Sequence, residues 1–243
     1  MKILFMGDSI THLGVWVKYF NQIIKPEHYV NIAVSGSRWR DFPNTVHDGN
    51  PVFRMEDNGG PNNTICNQLE KILRGKDKLN PNFSYNPEYE DFDIIFVSVG
   101  SNDFPVTDDF NEEEIEKQFT MADYKPLPLE KADLKSWAGA MRYTYEHLRR
   151  LYPTAKIFYC SPIQADDEIR PYADMKRKGE IIKAVCDRIS DVIFVNTFNC
   201  GICGIYEKWQ HNGRDLIDGL HPNENGGKKI AEYNALAVKK WLL

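Results

Sequence analysis

The sequence predicts an α/β fold, a three-layer sandwich on a five-stranded, mostly parallel sheet, and three observations carry that prediction. Short apolar runs recur along the chain. Amphipathic stretches of helical period separate them. Polar turn residues gather where the apolar runs stop. Strand and helix in alternation is the pattern of parallel sheets with crossover helices rather than of hairpins.

The elements follow in order. Ile3 to Met6, stopped by Gly7 and Asp8, reads as a buried strand ending in a sharp turn. Leu13 to Ile24 carries Leu13, Val17, Phe20 and Ile24 at helical spacing, and Tyr29 to Val34 returns to strand character. Thr64 to Leu73 is a helix with Ile65, Leu69, Ile72 and Leu73 on one side. Ile94 to Val99 is the clearest strand, a β-branched run of the kind that parallel sheets bury on both faces. Ser136 to Leu151 reads as a long helix closed by Pro153, and Lys156 to Cys160 as a fourth strand. A helix around Met175 to Ile189, a strand Val192 to Val195 and a last helix from about Asn225 to Leu242 complete the series. No second core or low-complexity linker interrupts it, so residues 1–243 are expected to form one domain. Two segments break the rhythm, Arg38 to Asn63 and Phe104 to Leu134, and connections this long within a compact domain are usually functional or partly disordered.

Composition narrows the class. With 42% hydrophobic and 27% charged residues the chain is ordinary for a soluble globular protein. A net charge of -5, with no long basic run, argues against a nucleic-acid partner. The longest basic cluster, Lys176-Arg177-Lys178, reads as a solvated helix face. No stretch approaches the about eighteen apolar residues of a membrane span, and the apolar run after Lys2 is too short for a secretory signal. No membrane partner and a cytoplasmic location are therefore expected. Five cysteines, an odd number, suit free thiols. Cys200 and Cys203 have metal or redox spacing, but no second pair completes a ligand set, so no metal is expected.

Four polar segments fall at strand ends or before the last helix: Ser9, the turn around Gly36, Gly100-Ser101-Asn102-Asp103, and Asp218-Gly219-Leu220-His221-Pro222. All four can share one rim of the sheet, where open α/β sheets bind ligands. Ser9 or Asp8 at such a place also suits a simple helix cap. Acyl transfer, however, calls for each of these residue types. A serine hydroxyl is a poor nucleophile until a neutral histidine accepts its proton and a carboxylate stabilises the imidazolium. His221 and Asp218 offer that pair from one loop. Charge developing on a carbonyl oxygen needs fixed donors, and the N–H groups of Ser9 and Gly36 with the Asn102 amide are three. Glycine lets the backbone approach without a Cβ in the way.

With these residues in place the chain resembles the SGNH hydrolase superfamily, the GDSL-type esterases and lipases. Four blocks match in the family's order: Gly7-Asp8-Ser9-Ile10-Thr11, the Gly36 segment, Gly100-Ser101-Asn102-Asp103 and Asp218-Gly219-Leu220-His221-Pro222. Ile10 stands where the family name has leucine. The resemblance implies a flavodoxin-like sheet of order 2-1-3-4-5 and hydrolysis of carboxylic esters without metal or other cofactor. It implies Ser9 as nucleophile, His221 as general base, Asp218 as its orienting acid, and Ser9, Gly36 and Asn102 as the oxyanion hole.

The expected substrate is a small-molecule or carbohydrate ester with a short acyl or acetyl group. Asp8, Arg38, Trp39 and Phe104 are candidate substrate contacts, Trp39 as a sugar-stacking face and the arginines as partners for an anionic group. Two other readings stand beside hydrolysis: acyl transfer to an alcohol through the same acyl-enzyme, and a silent carbohydrate-binding sandwich. A nucleotide-binding protein fits poorly, since no glycine-rich phosphate loop follows any strand.

Overall fold

The computed structural model describes residues 1–40, 64–79, 84–104 and 111–242. Five parallel strands, β1 (Lys2–Gly7), β2 (His28–Asn31), β3 (Ile94–Ser98), β4 (Lys156–Cys160) and β5 (Val192–Val195), form a sheet of order β2-β1-β3-β4-β5. The helices are α1 (Ser9–His12), α2 (Val15–Ile24), α3 (Ile65–Lys76), α4 (Glu112–Glu116), α5 (Trp137–Leu151), α6 (Tyr172–Cys186) and α7 (Glu224–Leu242).

Side chains alternate across a strand, so each strand feeds two cores. Ile3 and Phe5 of β1 meet Trp16 and Phe20 of α2 and Ile230 and Val238 of α7 on one face. Leu4 and Met6 meet Leu69 of α3, Met141 of α5 and Ile182 of α6 on the other. Phe5, Phe96 and Phe158 stand opposite one another on β1, β3 and β4. Their rings stack at 5.6 and 5.0 Å between centres. A slip of one residue would turn that stack to the other face, so it pins the register.

The chain leaves β1 for β2 through α2 on one face and reaches β3 through α3 on the other. The sheet therefore reverses its winding between β1 and β3, the switch point where such folds bind ligands at strand carboxyl ends. Ser9 follows β1 and Asn102 follows β3.

Several boundaries depart from the sequence reading. The helix expected from Leu13 to Ile24 starts at Val15 as α2, set off from the short α1 by Gly14, whose φ of 75° breaks the helical path. β2 stops at Asn31 rather than Val34, because the Asn31 side chain turns back to accept from Ala33 N–H and donate to Thr11 C=O. The backbone still bonds to β1 beyond it, Ile32 N–H to Phe5 and Val34 N–H to Gly7, which carries Gly36 to the end of β1. The segment from Phe104 to Leu134 is not wholly irregular. It holds α4, started by Asn111 accepting from Glu114 N–H, and a single helical turn at Leu129–Lys131. Residues 41–63 and 105–110, where parts of both long connections fall, lie outside the described residues.

Candidate active site

β1 delivers Ser9 into a turn that Asp8 shapes. The Asp8 carboxylate accepts from Ile10 N–H at 3.1 Å, and the hydroxyl and N–H of Ser101 also donate to it. Ser9 is the first residue of α1, so its own N–H is among those a helix start leaves without an internal acceptor. Its hydroxyl lies 2.8 Å from His221 Nε2 across 212 residues of sequence.

His221 is held by its own loop. Asp218 Oδ2 lies 2.7 Å from His221 Nδ1, while Asp218 Oδ1 accepts from the N–H groups of His221 and Leu220 at 2.8 and 3.1 Å. Burial pulls the Asp218 carboxyl up, but these bonds, that from the His221 side chain first, outweigh it and hold it below the ordinary carboxylate value. An ionised carboxylate accepts only, so Nδ1 carries the proton and Nε2 of the neutral ring is free to accept from Ser9 Oγ–H. Beneath the loop the buried Glu207 carboxylate takes the N–H groups of Asp215 and Leu216 at 3.0 and 2.9 Å.

The opposite wall comes from two distant turns. Gly36 has φ 81°, a left-handed conformation that turns the chain past β1. Asn102 donates through Nδ2 to Ser37 C=O at 3.2 Å and accepts at Oδ1 from Arg170 Nη2 at 3.3 Å. The two turns are tied by Asp103, which is fully buried and accepts from Trp39 and Arg40 N–H at 3.0 and 3.1 Å. Burial raises the Asp103 carboxyl despite those bonds. Gln68 of α3 completes the tie: its amide accepts from Gly7 N–H and donates to Gly7 C=O and the Ser37 hydroxyl.

Ser9, Asp218 and His221 thus form a hydrogen-bonded relay, with Gly36 and Asn102 on turns at the same rim. The candidate substrate contacts fare differently. Trp39 is 0% exposed, its ring 4.9 Å from that of Tyr159, so it offers no face to a sugar. The reason is Asp103, which draws the backbone of residues 39 and 40 inward. Asp8 is 1% exposed, raised by burial to about 6, and works as a cap and as the anchor of Ser101 rather than as a substrate contact. Arg38 is half-buried, its carbonyl accepting from Ile65 N–H. Phe104 is half-buried with Lys178 Nζ 3.6 Å and Arg170 Cζ 4.8 Å from its ring centre.

Lys178 corrects a second expectation. It is not solvated but fully buried, on the inward side of α6 with Met175, Ile181 and Ile182, and it donates to Ser101 C=O at 3.1 Å. Burial lowers its ammonium to about 8. Arg170 and Gln68 carry no signal in the sequence because each is one polar residue, outside any motif, whose partner lies more than sixty positions away, and Lys178 is visible there only as part of a basic cluster.

Residues 5–229 match the model of the GDSL-like lipase/acylhydrolase family. A multidomain esterase of Ruminococcus flavefaciens is 25% identical over 253 residues, covering 96% of this chain and 28% of that protein. The chain thus spans little more than a quarter of that relative. Among solved structures, a possible lipase from Chitinophaga pinensis superposes with TM-score 0.58 at 14% identity, over 99% of this chain and 98% of that one. A catalytic mutant of an acetylxylan esterase from Geobacillus stearothermophilus gives 0.52 at 16%, over 98% and 93%. A family 2 carbohydrate esterase with a carbohydrate-binding domain, from Corynascus thermopiles, gives 0.54 at 16%, over 99% and 66%. At these identities the likeness is one of fold.

Proposed function

The chain belongs to the GDSL-like lipase/acylhydrolase family, and from that premise we propose that it is a serine esterase acting through an acyl-enzyme on Ser9. The observation that carries the reading is the relay from Ser9 Oγ through the His221 ring to Asp218, two contacts of 2.8 and 2.7 Å. Ser9 Oγ attacks the ester carbonyl while its proton passes to Nε2. The resulting oxyanion is met by the N–H groups of Ser9 and Gly36 and by the Asn102 amide, dipoles fixed before the charge develops. His221 then returns the proton to the departing alcohol as the carbon–oxygen bond breaks. Water, deprotonated by His221, attacks the acyl-enzyme and releases the acid and free Ser9.

For substrate we propose a short acyl ester, an acetyl group on a carbohydrate foremost. The similarity to an acetylxylan esterase and a carbohydrate esterase supports this choice. A fluorophosphonate probe should label the peptide containing Ser9 in the native chain and leave Ser9→Ala unlabelled; labelling that survives the substitution would sink the mechanism. A chain-length series of nitrophenyl esters beside acetylated xylo-oligosaccharides tests the substrate. Turnover should be highest for acetyl, and a maximum at long acyl chains would overturn that part.

A further inference from the structure

We propose that Arg170 is a positioning residue for the oxyanion hole: it fixes the Asn102 side-chain amide in the one orientation that presents N–H to the developing charge. The proposal rests on the serine-esterase reading above. A carboxamide fits a given slot in two ways, with oxygen and nitrogen exchanged, and only one of them makes a donor of the rim. Here the two neighbours are chemically one-sided. Arg170 Nη2, 3.3 Å from Oδ1, belongs to a guanidinium that can only donate, and the Ser37 carbonyl, 3.2 Å from Nδ2, can only accept. A flipped amide would set oxygen against oxygen and N–H against N–H, so both neighbours reject it. Ser37 takes one of the two N–H groups of Nδ2, and the other remains for substrate.

Arg170 is itself held in place. Its Nε donates to Ser101 C=O at 3.0 Å and its Nη1 to Ile169 C=O at 2.9 Å, with the half-buried side chain against the Phe104 ring. The guanidinium therefore cannot leave Oδ1 without abandoning a backbone carbonyl. Its charge also polarises the amide it touches, which strengthens the opposite N–H as a donor. Lys178 provides an internal comparison: it too donates to Ser101 C=O, yet has no bond to the Asn102 side chain among the described residues.

The test is a double-mutant cycle on a short-chain nitrophenyl ester, with Arg170→Met and Arg170→Lys made in the native and Asn102→Ala backgrounds, and Lys178→Met alongside. Arg170→Met should lower kcat by about 10- to 100-fold, short of the 10²- to 10³-fold of losing an oxyanion donor outright, with KM changed less than about twofold. Arg170→Lys, which keeps charge and one donor, should recover part of that loss, and carries the cycle if the methionine variant does not fold. In Asn102→Ala the same changes should cost less than about threefold, since nothing remains to orient. Equal losses in both backgrounds, no loss at all, or the same coupling from Lys178→Met would overturn the proposal. If Asn102→Ala alone leaves kcat unchanged, the oxyanion role of Asn102 in the reading above has failed, whatever Arg170 does.

Discussion

The two walls of the site are built in opposite ways. The carboxylates of the Asp218–His221 side act locally: Asp218 bonds to residues two and three positions on, and Glu207 to residues eight and nine on. The wall that carries Gly36 and Asn102 is woven from afar, with Gln68 reaching Gly7 over 61 residues, Asp103 reaching Trp39 over 64, Arg170 reaching Asn102 over 68 and Lys178 reaching Ser101 over 77. Gln68, Asp103 and Lys178 are buried and Arg170 half-buried, whereas the Asp218 and His221 side chains keep 34% and 24% of their surface. A part that rests on its own turn can lose a side chain without disturbing the rest. A wall tied into the core cannot.

The largest effect should fall on the local side and on activity alone. His221→Ala should lower kcat by about 10⁴- to 10⁶-fold while the melting temperature moves by less than about 3 °C; a melting point lowered much further would break the contrast between the walls. The acid limb of kcat/KM sharpens the same point. Asp218 is held below the ordinary carboxylate value, so acidification down to that value should leave it ionised and cost no activity through Asp218 itself.

Asp103→Ala should show the reverse balance. It leaves the N–H groups of Trp39 and Arg40 buried without their acceptor, at a cost of about 2–4 kcal/mol in urea unfolding. An unchanged unfolding midpoint would show that the wall is not tied through Asp103.

This division also explains what the sequence made legible. Asp218 and His221 could be paired on paper because both lie in one turn, and the strand order came with the motif series they belong to. Ile94 to Val99 read as a buried strand because its apolar run is unbroken. Arg170, Gln68 and Lys178 had no such signal, since a side chain that reaches across more than sixty residues looks, in sequence, like any polar residue on a helix or loop. Trp39 misled for the same reason: whether an indole faces solvent or core depended on a carboxylate 64 positions away. α4 escaped notice because only Ile115 of its five residues is apolar and buried.

A smaller, pH-dependent effect comes from Asp8. Burial raises its carboxyl from 3.8 to about 6, so the folded chain keeps a proton that the unfolded chain releases from about pH 4 upward. Between those values the folded state binds more protons, and the Asp8 contribution to stability declines as pH rises through the window and is flat above it. Asp8→Asn should remove that slope, so the native stability minus that of the variant should fall from about pH 4 to 6 and be flat above. An identical slope in both proteins would place the Asp8 carboxyl in a more solvated setting than the turn after β1 provides.

The smallest effect decides what Trp39 is for. If the woven wall continues into the core through it, Trp39→Phe leaves a void beside Tyr159 and costs about 1–2 kcal/mol in unfolding free energy. KM for an acetylated xylo-oligosaccharide should then stay within about twofold of the native value, because a ring with no exposed surface has no sugar to release. A KM raised about tenfold with unfolding unchanged would reverse the assignment, returning Trp39 to the substrate face and making the 38–40 turn a binding element rather than the outer edge of the core.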